Sequence, residues 1–317
     1  MKYTALIVTF NRLGKLKKTV EETLKLEFTN IVIVNNGSTD GTQAWLSSIV
    51  DTRVIVLTLT ENTGGAGGFK TGSQYICEQL ASDWVFFYDD DAYPYPDTLK
   101  SFSQLDKRGC RVFSGLVKDP QGKPCPMNMP FSRVPTSLGD TVRYLRYPGE
   151  FIPEANRSML VQTVSFVGMV IHRDLLTTSL DHIHEQLFIY FDDLYFGYQL
   201  SLAGEKIMYS PELLFYHDVS IQGKLIAPEW KVYYLCRNLI LSKKIFQKTS
   251  VYSNSAIAIR ILKYILILPW QRQKYSYMKF ILRGISHGIK GIREGANKQV
   301  ISSQADSLIK ISRIWAD

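Results

Sequence analysis

Residues 84–92 read WVFFYDDDA, an apolar run that ends in three consecutive carboxylates. A short apolar run bounded by turn residues predicts a buried strand. Because Asp is rarely buried unless it is paired, packing alone does not account for three of them at the end of such a strand. Alternating carboxylates such as Asp89 and Asp91 can converge on one hard divalent cation, Mg²⁺ or Mn²⁺. An acidic strand-to-turn transition is the alternative interpretation.

The chain before this strand alternates apolar runs with helical patterns. Strands are predicted at residues 4–10, 31–34 and 53–59, and helices at residues 15–26, 42–49 and 69–80. This alternation is typical of βαβ units and a mostly parallel sheet. In such sheets ligands bind beyond the carboxyl ends of the strands, where each polar cluster of this half stands. We therefore predict an α/β fold with a mostly parallel central sheet.

The rest of the chain carries weaker patterns. Residues 110–165 are rich in Pro and Gly and predict irregular structure with one or two strands. Further strands are predicted at 164–171 and 206–209, with a helix after Phe191. From Trp230 onward the pattern becomes helical and basic.

Charge is concentrated near the end of the chain. The net charge is +8 and the pI about 9.1, which favours an acidic partner such as nucleotide phosphates, nucleic acid or an anionic membrane. Residues 230–293 hold thirteen Lys or Arg and no Asp or Glu. The mixture of aliphatic and cationic residues predicts helices in a membrane interface, and a helical subdomain packed on the sheet is the alternative. No zinc-ligand, RNP or basic-zipper signature supports nucleic-acid binding.

Cysteine spacing and hydropathy indicate the compartment. The four cysteines, Cys77, Cys110, Cys125 and Cys236, share no metal-ligand spacing, so we expect buried, reduced thiols in a cytosolic protein. The brief apolar run after Lys2 predicts a strand better than a signal peptide. No stretch of 18 uncharged apolar residues predicts a transmembrane helix. We expect a soluble protein or one at a membrane surface.

A glycine-rich stretch, NTGGAGGFKT, occupies residues 62–71. It is not a P-loop, because Phe69 stands where that motif needs Gly, and Lys70 occupies the last position of a possible GxGxxG. The predicted loop suits close approach of a ligand to the backbone at a helix N-terminus that favours an anion. A flexible turn is the alternative.

A second acidic pair and a histidine follow in the later half. Asp192 and Asp193 stand at a predicted helix start, where a carboxylate can also act as a cap. His217 follows an apolar strand-like run and can lie at a sheet edge near the other clusters. Imidazole is a common ligand for Mn²⁺, whereas Mg²⁺ prefers oxygen. A structural role is the alternative for this histidine.

Taken in order, these motifs resemble the inverting glycosyltransferases of family 2, which have a GT-A fold. The resemblance covers about residues 3–220 and consists of VTFNR at 8–12, VNNGSTDGT at 34–42, the glycine-rich stretch from Asn62, the acids at 89–91, FDD at 191–193 and His217. The glycine pattern and the triple Asp look most like the galactofuranosyltransferase and rhamnosyltransferase branch. Galactofuranosyl transfer is favoured, with rhamnosyl transfer as the alternative.

The resemblance implies a role for each of these positions. Residues that hold the uridine or another nucleoside would be Thr9, Asn11, Arg12, Asn36 and Asp40. Residues that line the donor sugar and diphosphate would be Asn62, Gly64, Gly65, Gly67 and Gly68. Asp89, Asp91 and His217 would bind Mn²⁺ or Mg²⁺, and Asp193 would be the general base. Asp90 would contact the donor or stabilise the turn.

Two positions depart from the family pattern. Asn35 and Asn36 stand where many members carry an acidic residue that reads the base, which leaves the nucleotide open. Gln199 replaces a basic residue often found six positions after the base. Contacts to phosphate or acceptor can therefore differ there.

The resemblance also implies a domain plan and a location. A GT-A catalytic domain would cover residues 1–225, with a donor-binding half at 1–110 and an acceptor half at 111–225. Residues 226–317 would form the basic amphipathic helical region. The expected enzyme is cytoplasmic and peripheral at the inner face of the cell membrane. It would move galactofuranose from its UDP donor to a glycan or lipid-linked glycan; a non-catalytic nucleotide-sugar-binding subunit is the alternative.

The expected chemistry follows from the residue types. A sugar nucleotide carries a diphosphate leaving group whose developing charge a divalent ion can stabilise. The acceptor hydroxyl is a poor nucleophile, so a carboxylate must take its proton during attack. A single base suffices for inversion, which predicts a β-linked product from an α-linked donor.

Overall fold

The computed structural model describes residues 1–219, 225–247 and 249–291 of the chain. These residues form one nine-stranded sheet with helices on both faces, together with several short 3₁₀ turns. The strands are β1 (Tyr3–Thr9), β2 (Asn30–Asn35), β3 (Val54–Thr58), β4 (Trp84–Asp89), β5 (Ala92–Pro94), β6 (Val112–Lys118), β7 (Met159–Val161), β8 (Met169–His172) and β9 (Ile207–His217). The helices are α1 (Leu13–Leu24), α2 (Thr42–Leu46), α3 (Gly64–Gln79), α4 (Thr98–Gln104), α5 (Leu138–Arg146), α6 (Arg173–Ser179), α7 (Asp192–Leu202), α8 (Lys231–Ile245), α9 (Asn254–Leu266) and α10 (Lys274–Lys290).

The sheet has the order β3-β2-β1-β4-β8-β6-β9-β5, and β7 pairs with β9. Strands β3, β2, β1 and β4 are mutually parallel. Strand β8 runs antiparallel to β4 and β6, whereas β9 is parallel to β6. The predicted α/β fold with a mostly parallel central sheet is confirmed. The carboxyl ends of β1, β2 and β4 meet at one edge, because parallel neighbours end on the same side.

Both faces of the sheet are buried, as expected for strands flanked by crossover helices. All seven residues of β1 are buried. Ala5 and Ile7 pack into one apolar cluster with Leu16 of α1. Leu6 packs into the cluster on the opposite face with Ile76 of α3. The alternation of side chains along a strand explains this division.

The glycine-rich stretch departs from its prediction. Helix α3 begins at Gly64, so the expected loop at residues 62–68 forms the first turns of the helix. Glycine lowers helix propensity, but tertiary packing outweighs that preference here. A Cβ at Gly68 would lie 2.4 Å from Val8 Cγ1, and one at Gly72 would lie 2.2 Å from Leu6 Cδ1. The glycines therefore let α3 lie close against β1.

Several predicted elements differ in extent. The strand expected at 164–171 is confined to Met169–His172. The runs at 206–209 and 213–217 belong to one strand, β9, whose pairing with β6 shifts register between Gly115 and Leu116. Helix α5 was absent from the prediction for residues 110–165, although its capping residue Ser137 accepts a hydrogen bond from the Asp140 amide.

The three C-terminal helices pack against the sheet-bearing part of the chain. Eleven of the fifteen residues of α8 are buried, so this helix does not lie on a membrane surface. Its Leu235 shares an apolar cluster with Tyr195 of α7 and Ile281 of α10. The division of the chain into domains remains a prediction, and residues 292–317 of the predicted basic region lie outside the described residues.

All four cysteines lie among the described residues, where they are buried and form no disulfide. Within the described part of the chain, no helix combines the length and hydropathy needed to cross a membrane.

Candidate active site

A cleft of about 330 Å³ opens beyond the carboxyl ends of the parallel strands. Its walls come from the ends of β1 and β4, the start of α3, residues 126–131 and 163–167, residues 188–194 and the beginning of α8. The lining residues that the sequence predicted are Thr9, Arg12, Asn36, Asn62, Gly64, Gly65, Asp89, Asp90, Asp193 and His217. Parallel strands that end at one edge bring these distant motifs together.

The turn after β4 is held by a buried arginine. Arg12 Nη1 lies 2.9 Å from Asp90 Oδ1, and Arg12 Nη2 lies 2.7 Å from Asp91 Oδ2. The Thr9 hydroxyl also donates to Asp90, at 2.8 Å from Oδ2. Asp90 is thus bound to β1 and to the turn after it. Of its two expected roles, these contacts match the stabilisation of the turn.

Asp89, Asp91 and His217 form a candidate metal centre. One ligand atom from each lies within 4.8 Å of the others. His217 Nε2 lies 3.3 Å from Asp91 Oδ1, and Lys15 Nζ lies 3.3 Å from Asp91 Oδ2. Burial alone would raise the pKa of Asp91, but His217, Arg12 and Lys15 hold it well below its ordinary value.

Asp89, the remaining carboxylate of this group, has no paired positive charge among the described residues. Among the described residues, no hydrogen-bond donor or cation pairs with the Asp89 carboxylate. Burial and the charges of Asp91 and Asp90 raise the pKa of Asp89 well above its ordinary value. A divalent cation beside Asp89 would remove this penalty, because an opposite charge favours the ionised carboxylate. Two carboxylates with one imidazole fit Mn²⁺ better than Mg²⁺, which prefers oxygen.

Asn128 orients the histidine of this group. His217 Nδ1 lies 2.9 Å from Asn128 Oδ1, so Nδ1–H donates to this amide oxygen, while Nε2 faces Asp91 and would be the atom offered to a metal. Asn128 Nδ2 in turn donates to Ser165 Oγ at 2.9 Å. Sequence analysis missed both residues, because they lie in irregular segments that carry no motif.

The second acidic pair begins α7 on the opposite wall of the cleft. Burial and the neighbouring charge of Asp193 raise the pKa of Asp192 to about 8. Burial also raises the pKa of Asp193, to about 6, although hydrogen bonding to the Leu194 amide and to Ser165 opposes this shift. Asp192 and Asp193 line the same cleft as Asp89. Ser165 therefore interacts with both Asn128 and Asp193.

The segment before Asp192 has an unusual backbone. Phe188, Tyr190 and Phe191 have φ values of 66°, 68° and 66°, in the left-handed region that non-glycine residues rarely adopt. Each such residue costs on the order of 1–3 kcal/mol and persists only where surrounding contacts impose it. The Phe188 carbonyl occupies the space of a missing Cβ at Gly64, 2.0 Å away, so this segment packs directly on the start of α3.

Helix α8 supplies the contacts that hold this segment. Asn238 Nδ2 donates to three backbone carbonyls, those of Leu187, Ile189 and Tyr190, at 3.0, 2.8 and 3.0 Å. The neighbouring Arg237, also fully buried, donates through Nη2 to the carbonyls of residues 186 and 187. A helix of the basic C-terminal region therefore fixes the backbone that precedes the acidic pair. No sequence motif marks this role, since both residues occupy ordinary polar positions of a helix.

The predicted donor-binding glycines divide into two pairs. Gly64 and Gly65 line the cleft, and no described atom lies within 4 Å of a Cβ built at Gly65. Gly67 and Gly68 lie outside the lining of the described cleft, and their missing Cβ positions point at Thr63 Oγ1 and Val8 Cγ1, each 2.4 Å away. That these two glycines line the donor stays a prediction.

Three predicted polar residues hold loops together. Asn36 Nδ2 donates to the Gly64 carbonyl at 2.8 Å, which attaches the end of β2 to the start of α3. Asn11 Oδ1 accepts from the Thr39 amide at 2.6 Å, and Asp40 Oδ2 accepts from the Leu13 amide at 3.0 Å. Asn11 and Asp40 lie outside the lining of the described cleft. Their observed contacts join the turns after β1 and β2.

The two departures from the family pattern also have partners. Asn35 Nδ2 donates to Gln43 Oε1 at 2.7 Å, so its amide faces α2. Gln199 Oε1 lies 2.7 Å from His184 Nε2. Neither Asn35 nor Gln199 lines the described cleft.

The arrangement of motifs around the cleft agrees with a family comparison. The family described as "Glycosyl transferase family 2" matches residues 4–175, more than half of the chain. The chain belongs to glycosyl transferase family 2. The match includes β1 and β2, which are followed by the first polar clusters, and the acidic run at the end of β4. The protein is accordingly a glycosyltransferase.

Solved structures of glycosyltransferases have a similar fold. S. aureus TarS 1-349 in complex with UDP is 20% identical, with a TM-score of 0.50 over 83% of this chain and 66% of that one. The same fragment with UDP-GlcNAc is 17% identical, with a TM-score of 0.50 over 83% and 67%. The mannosyltransferase PcManGT from Pyrobaculum calidifontis, in complex with GDP-Man and Mn²⁺, is 14% identical, with a TM-score of 0.51 over 92% and 88%. At these identities the likeness shows the GT-A fold alone. No curated protein matches the chain in sequence.

Proposed function

We propose that this glycosyltransferase moves one sugar from a nucleotide-sugar donor to a glycan or lipid-linked glycan acceptor, with inversion and with a divalent cation. The observation that carries the proposal is the meeting of two acidic clusters on one cleft. One cluster contains Asp89, Asp91 and His217, whose ligand atoms lie within 4.8 Å of one another. The other contains Asp193, which lines the same cleft.

Asp193 is the general base in this proposal. With a pKa of about 6, most of the Asp193 carboxyl is ionised at neutral pH. The same raised pKa makes the carboxylate basic enough to accept a proton. As the acceptor hydroxyl attacks the anomeric carbon, a C–O bond forms and the bond to the diphosphate breaks. The hydroxyl proton passes to Asp193, and the nucleoside diphosphate leaves. In-line attack of this kind inverts the anomeric centre.

The residues opposite the base would receive the leaving group. Asp89, Asp91 and His217 would hold the cation, preferably Mn²⁺, whose positive charge stabilises the charge that develops on the diphosphate. Asn128 accepts from His217 Nδ1–H and would direct Nε2 towards the cation. Gly65, with its open space beside the cleft, gives the donor close access to the backbone.

UDP-galactofuranose is the proposed donor, with dTDP-rhamnose as the alternative. The support for this choice is the glycine-rich stretch and the triple Asp of the sequence. Complexes of the structural neighbours with UDP, UDP-GlcNAc and GDP-Man support nucleotide sugars as the donor class.

A donor panel tests both the reaction and the sugar. We expect Mn²⁺-dependent hydrolysis of UDP-galactofuranose to exceed that of dTDP-rhamnose, UDP-GlcNAc and GDP-Man. Faster hydrolysis of another donor in the panel would change the proposed donor sugar but leave the proposed enzyme class, a glycosyltransferase, intact. Tight binding of a donor with no turnover on any acceptor or water would instead indicate a binding subunit. With an α-linked donor and a working acceptor, NMR of the product should show a β-linkage; an α-linkage would contradict the mechanism.

We further propose that the protein is peripheral at the inner face of the cell membrane. Helices α9 and α10 expose apolar residues on their outer sides: Leu262, Leu266, Trp270, Tyr275, Leu282 and Ile289. Exposed cations lie among them: Arg272, Lys274, Lys279, Arg283 and Lys290. Apolar residues with interleaved cations suit the interface of an anionic bilayer.

Vesicle sedimentation tests this surface. We expect binding to vesicles of phosphatidylcholine with phosphatidylglycerol, and weaker binding to phosphatidylcholine alone, because the cations attract anionic head groups. Raised salt should weaken binding through screening. Absence of binding at low salt would remove the membrane proposal and leave the glycosyltransferase proposal intact.

A further inference from the structure

A chain of buried hydrogen bonds connects the two acidic clusters of the cleft. His217 Nδ1 lies 2.9 Å from Asn128 Oδ1, and Asn128 Nδ2 lies 2.9 Å from Ser165 Oγ. Ser165 in turn hydrogen-bonds the Asp193 carboxylate. His217, Asn128 and Ser165 are 2%, 4% and 5% exposed, so solvent has little access to these bonds. One proposed cation ligand is therefore joined to the proposed base through two side chains that are neither ligand nor base.

The donors of this chain all run in one direction. His217 Nδ1–H donates to the Asn128 oxygen, and the Asn128 amide donates to Ser165 Oγ. A serine hydroxyl has a single hydrogen, and because Oγ accepts from Asn128, that hydrogen is left for Asp193. The last group of the chain must then accept, as an ionised carboxylate does. This polarity therefore favours an ionised Asp193 together with a hydrogen on Nδ1 of His217.

The opposite polarity matches the other neutral tautomer of His217. Nε2 lies 3.3 Å from Asp91 Oδ1, so a hydrogen on Nε2 has an acceptor there. Nδ1 would then accept, and Asn128 would donate to it once its amide group is flipped. Ser165 would donate to the Asn128 oxygen and accept from a protonated Asp193. A cation on Nε2 excludes this arrangement, because a nitrogen that binds a metal carries no hydrogen.

We propose that Asn128 and Ser165 couple cation binding to the ionisation of Asp193, through a hydrogen-bond chain whose polarity the tautomer of His217 sets. This inference rests on the proposed function, because it takes His217 as a cation ligand and Asp193 as the base. With the cation bound, the chain ends in an ionised Asp193, so the base is ready when the site for the leaving group is complete. Coupling is reciprocal, so ionisation of Asp193 raises the affinity for the cation by the same factor. Asn128 and Ser165 are positioning residues, since neither binds the cation nor takes the proton.

The protons released on Mn²⁺ binding measure this coupling without any turnover. Mn²⁺ alone is titrated calorimetrically into the whole chain, in buffers of different ionisation enthalpy and over a pH range around the Asp193 pKa of about 6. The Asp193 share is the wild-type release minus that of Asp193→Asn, whose amide oxygen can still accept from Ser165. A tenfold coupling lowers the pKa of Asp193 to about 5 with the cation bound, which gives a share of about half a proton at about pH 5.5.

Other charged groups stand near Asp193, and the subtraction removes their contribution. Asp192 is its titratable neighbour on α7. The charged or titratable groups of the described residues that line the same cleft are Arg12, Asp89, Asp90 and His217. All of these groups are present in every variant of the series, so the protons that they release cancel in the difference.

Ser165→Ala cuts the chain next to the base. The Asp193 share in this background is its release minus that of the double variant with Asp193→Asn. We expect this share to fall below about 0.2 proton at every pH, because only the charge of the cation acting through space remains. A variant that only raised the pKa of Asp193 would move the release to higher pH without lowering its maximum. The control Ser114→Ala removes a hydroxyl that is also buried, at 1% exposure, but lies outside the cleft lining, and it should keep the wild-type share.

Asn128→Ala cuts the same chain one step earlier and should also lower the Asp193 share, so the coupling stays testable if Ser165→Ala does not fold. An unchanged share in the folded variants would assign the linkage to charge acting through space and overturn the coupling. Equal release from the wild type and Asp193→Asn would overturn it as well. Both results leave the proposed glycosyl transfer intact, whereas absence of Mn²⁺ binding in the wild type would refute the cation of the proposed function and the coupling with it.

Discussion

The two acidic clusters of the cleft contrast in how their charge is balanced. Asp90 and Asp91 meet Arg12 at 2.9 and 2.7 Å, and Lys15 lies 3.3 Å from Asp91. Across the cleft, Asp192 and Asp193 have no cation within ion-pair distance among the described residues. In the first cluster the pKa of Asp91 is held below its ordinary value, although burial raises that of Asp90 to about 6 and that of Asp89 well above its ordinary value. In the second cluster burial raises the pKa values of both Asp192 and Asp193, to about 8 and about 6.

This difference separates two kinds of chemistry. Asp91, with His217, Arg12 and Lys15 beside it, stays ionised and can bind a cation, but it is a poor proton acceptor at neutral pH. A carboxylate buried without positive charge takes up a proton near neutrality, which suits a general base. Pairs of acidic groups whose environments move their pKa values apart are typical of catalytic sites. The ionised Asp91, grouped with Asp89 and His217, supports metal binding by the first cluster, and the lack of a paired cation at Asp192 and Asp193 among the described residues supports proton transfer by the second.

The largest effect is expected from removal of the proposed base. Asp193→Asn keeps the shape but cannot accept the proton, so kcat should fall by about 10²- to 10⁴-fold. Donor affinity, measured as UDP binding with Mn²⁺, should stay nearly unchanged. Asp174→Asn, on the exposed side of α6, is the control and should behave like the wild type. If Asp193→Asn removes donor binding instead, the contrast between the clusters breaks down.

The first cluster is tested by loss of metal affinity. Asp89→Ala removes one proposed ligand, whereas Asn128→Ala removes a residue that is not a ligand but hydrogen-bonds His217 and Ser165. Loss of a residue that hydrogen-bonds a metal ligand typically lowers metal affinity roughly 10- to 100-fold. We expect Asn128→Ala to lower the Mn²⁺ affinity within that range and Asp89→Ala to lower it further. Titration of Mn²⁺ in the presence of UDP measures both. Unchanged Mn²⁺ affinity in Asp89→Ala would remove this residue from the metal site.

The support of the second cluster is tested on α8. Asn238→Ala removes the donor of three hydrogen bonds to residues 187–190, which should let the left-handed backbone before Asp192 relax. We expect kcat to fall about tenfold with little change in donor KM, which corresponds to a cost of roughly 1.4 kcal/mol in the transition state alone. Asn238→Gln, which keeps the amide, should recover part of the activity. A change in stability with unchanged kcat would limit Asn238 to the fold.

The smallest expected effect is a shift in the pH profile. The proposed base acts only when deprotonated, so kcat/KM should rise with pH through a value near 6, well above the ordinary Asp value of about 3.9. Hydrogen bonding from Ser165 lowers the pKa of Asp193, so Ser165→Ala should move the acid limb to higher pH. The profile is measured with saturating Mn²⁺. A limb near pH 4 in the wild type would show that Asp193 is not the base.

The fold was largely predictable from the sequence. Strands β1 to β4 and the helices between them are local apolar runs and periodic patterns, so their order alone predicts parallel strands that end at one edge. The acidic run, the glycine-rich stretch and His217 also stand out in the sequence, because each is recognised from local residue types after a predicted strand. The start of α3 was missed, since close packing of Gly68 and Gly72 on β1 outweighs a poor local helix propensity. Helix α5 was also missed, although Ser137 caps it.

The sequence by itself determined the α/β architecture, the family and most of the polar residues of the cleft, because these depend on local patterns and residue types. Only the tertiary structure decided which residues support them. Asn128, Ser165 and Asn238 come from segments far apart in the chain, and their roles exist only through contacts with His217, Asp193 and the backbone before α7. Tertiary packing also set the balance of charge. Asp90 and Asp91 meet Arg12 from the turn after β1, and Asp91 also meets Lys15 of α1, whereas Asp192 and Asp193 at the start of α7 are buried without a cation among the described residues. Burial and neighbouring charge are properties of the folded chain.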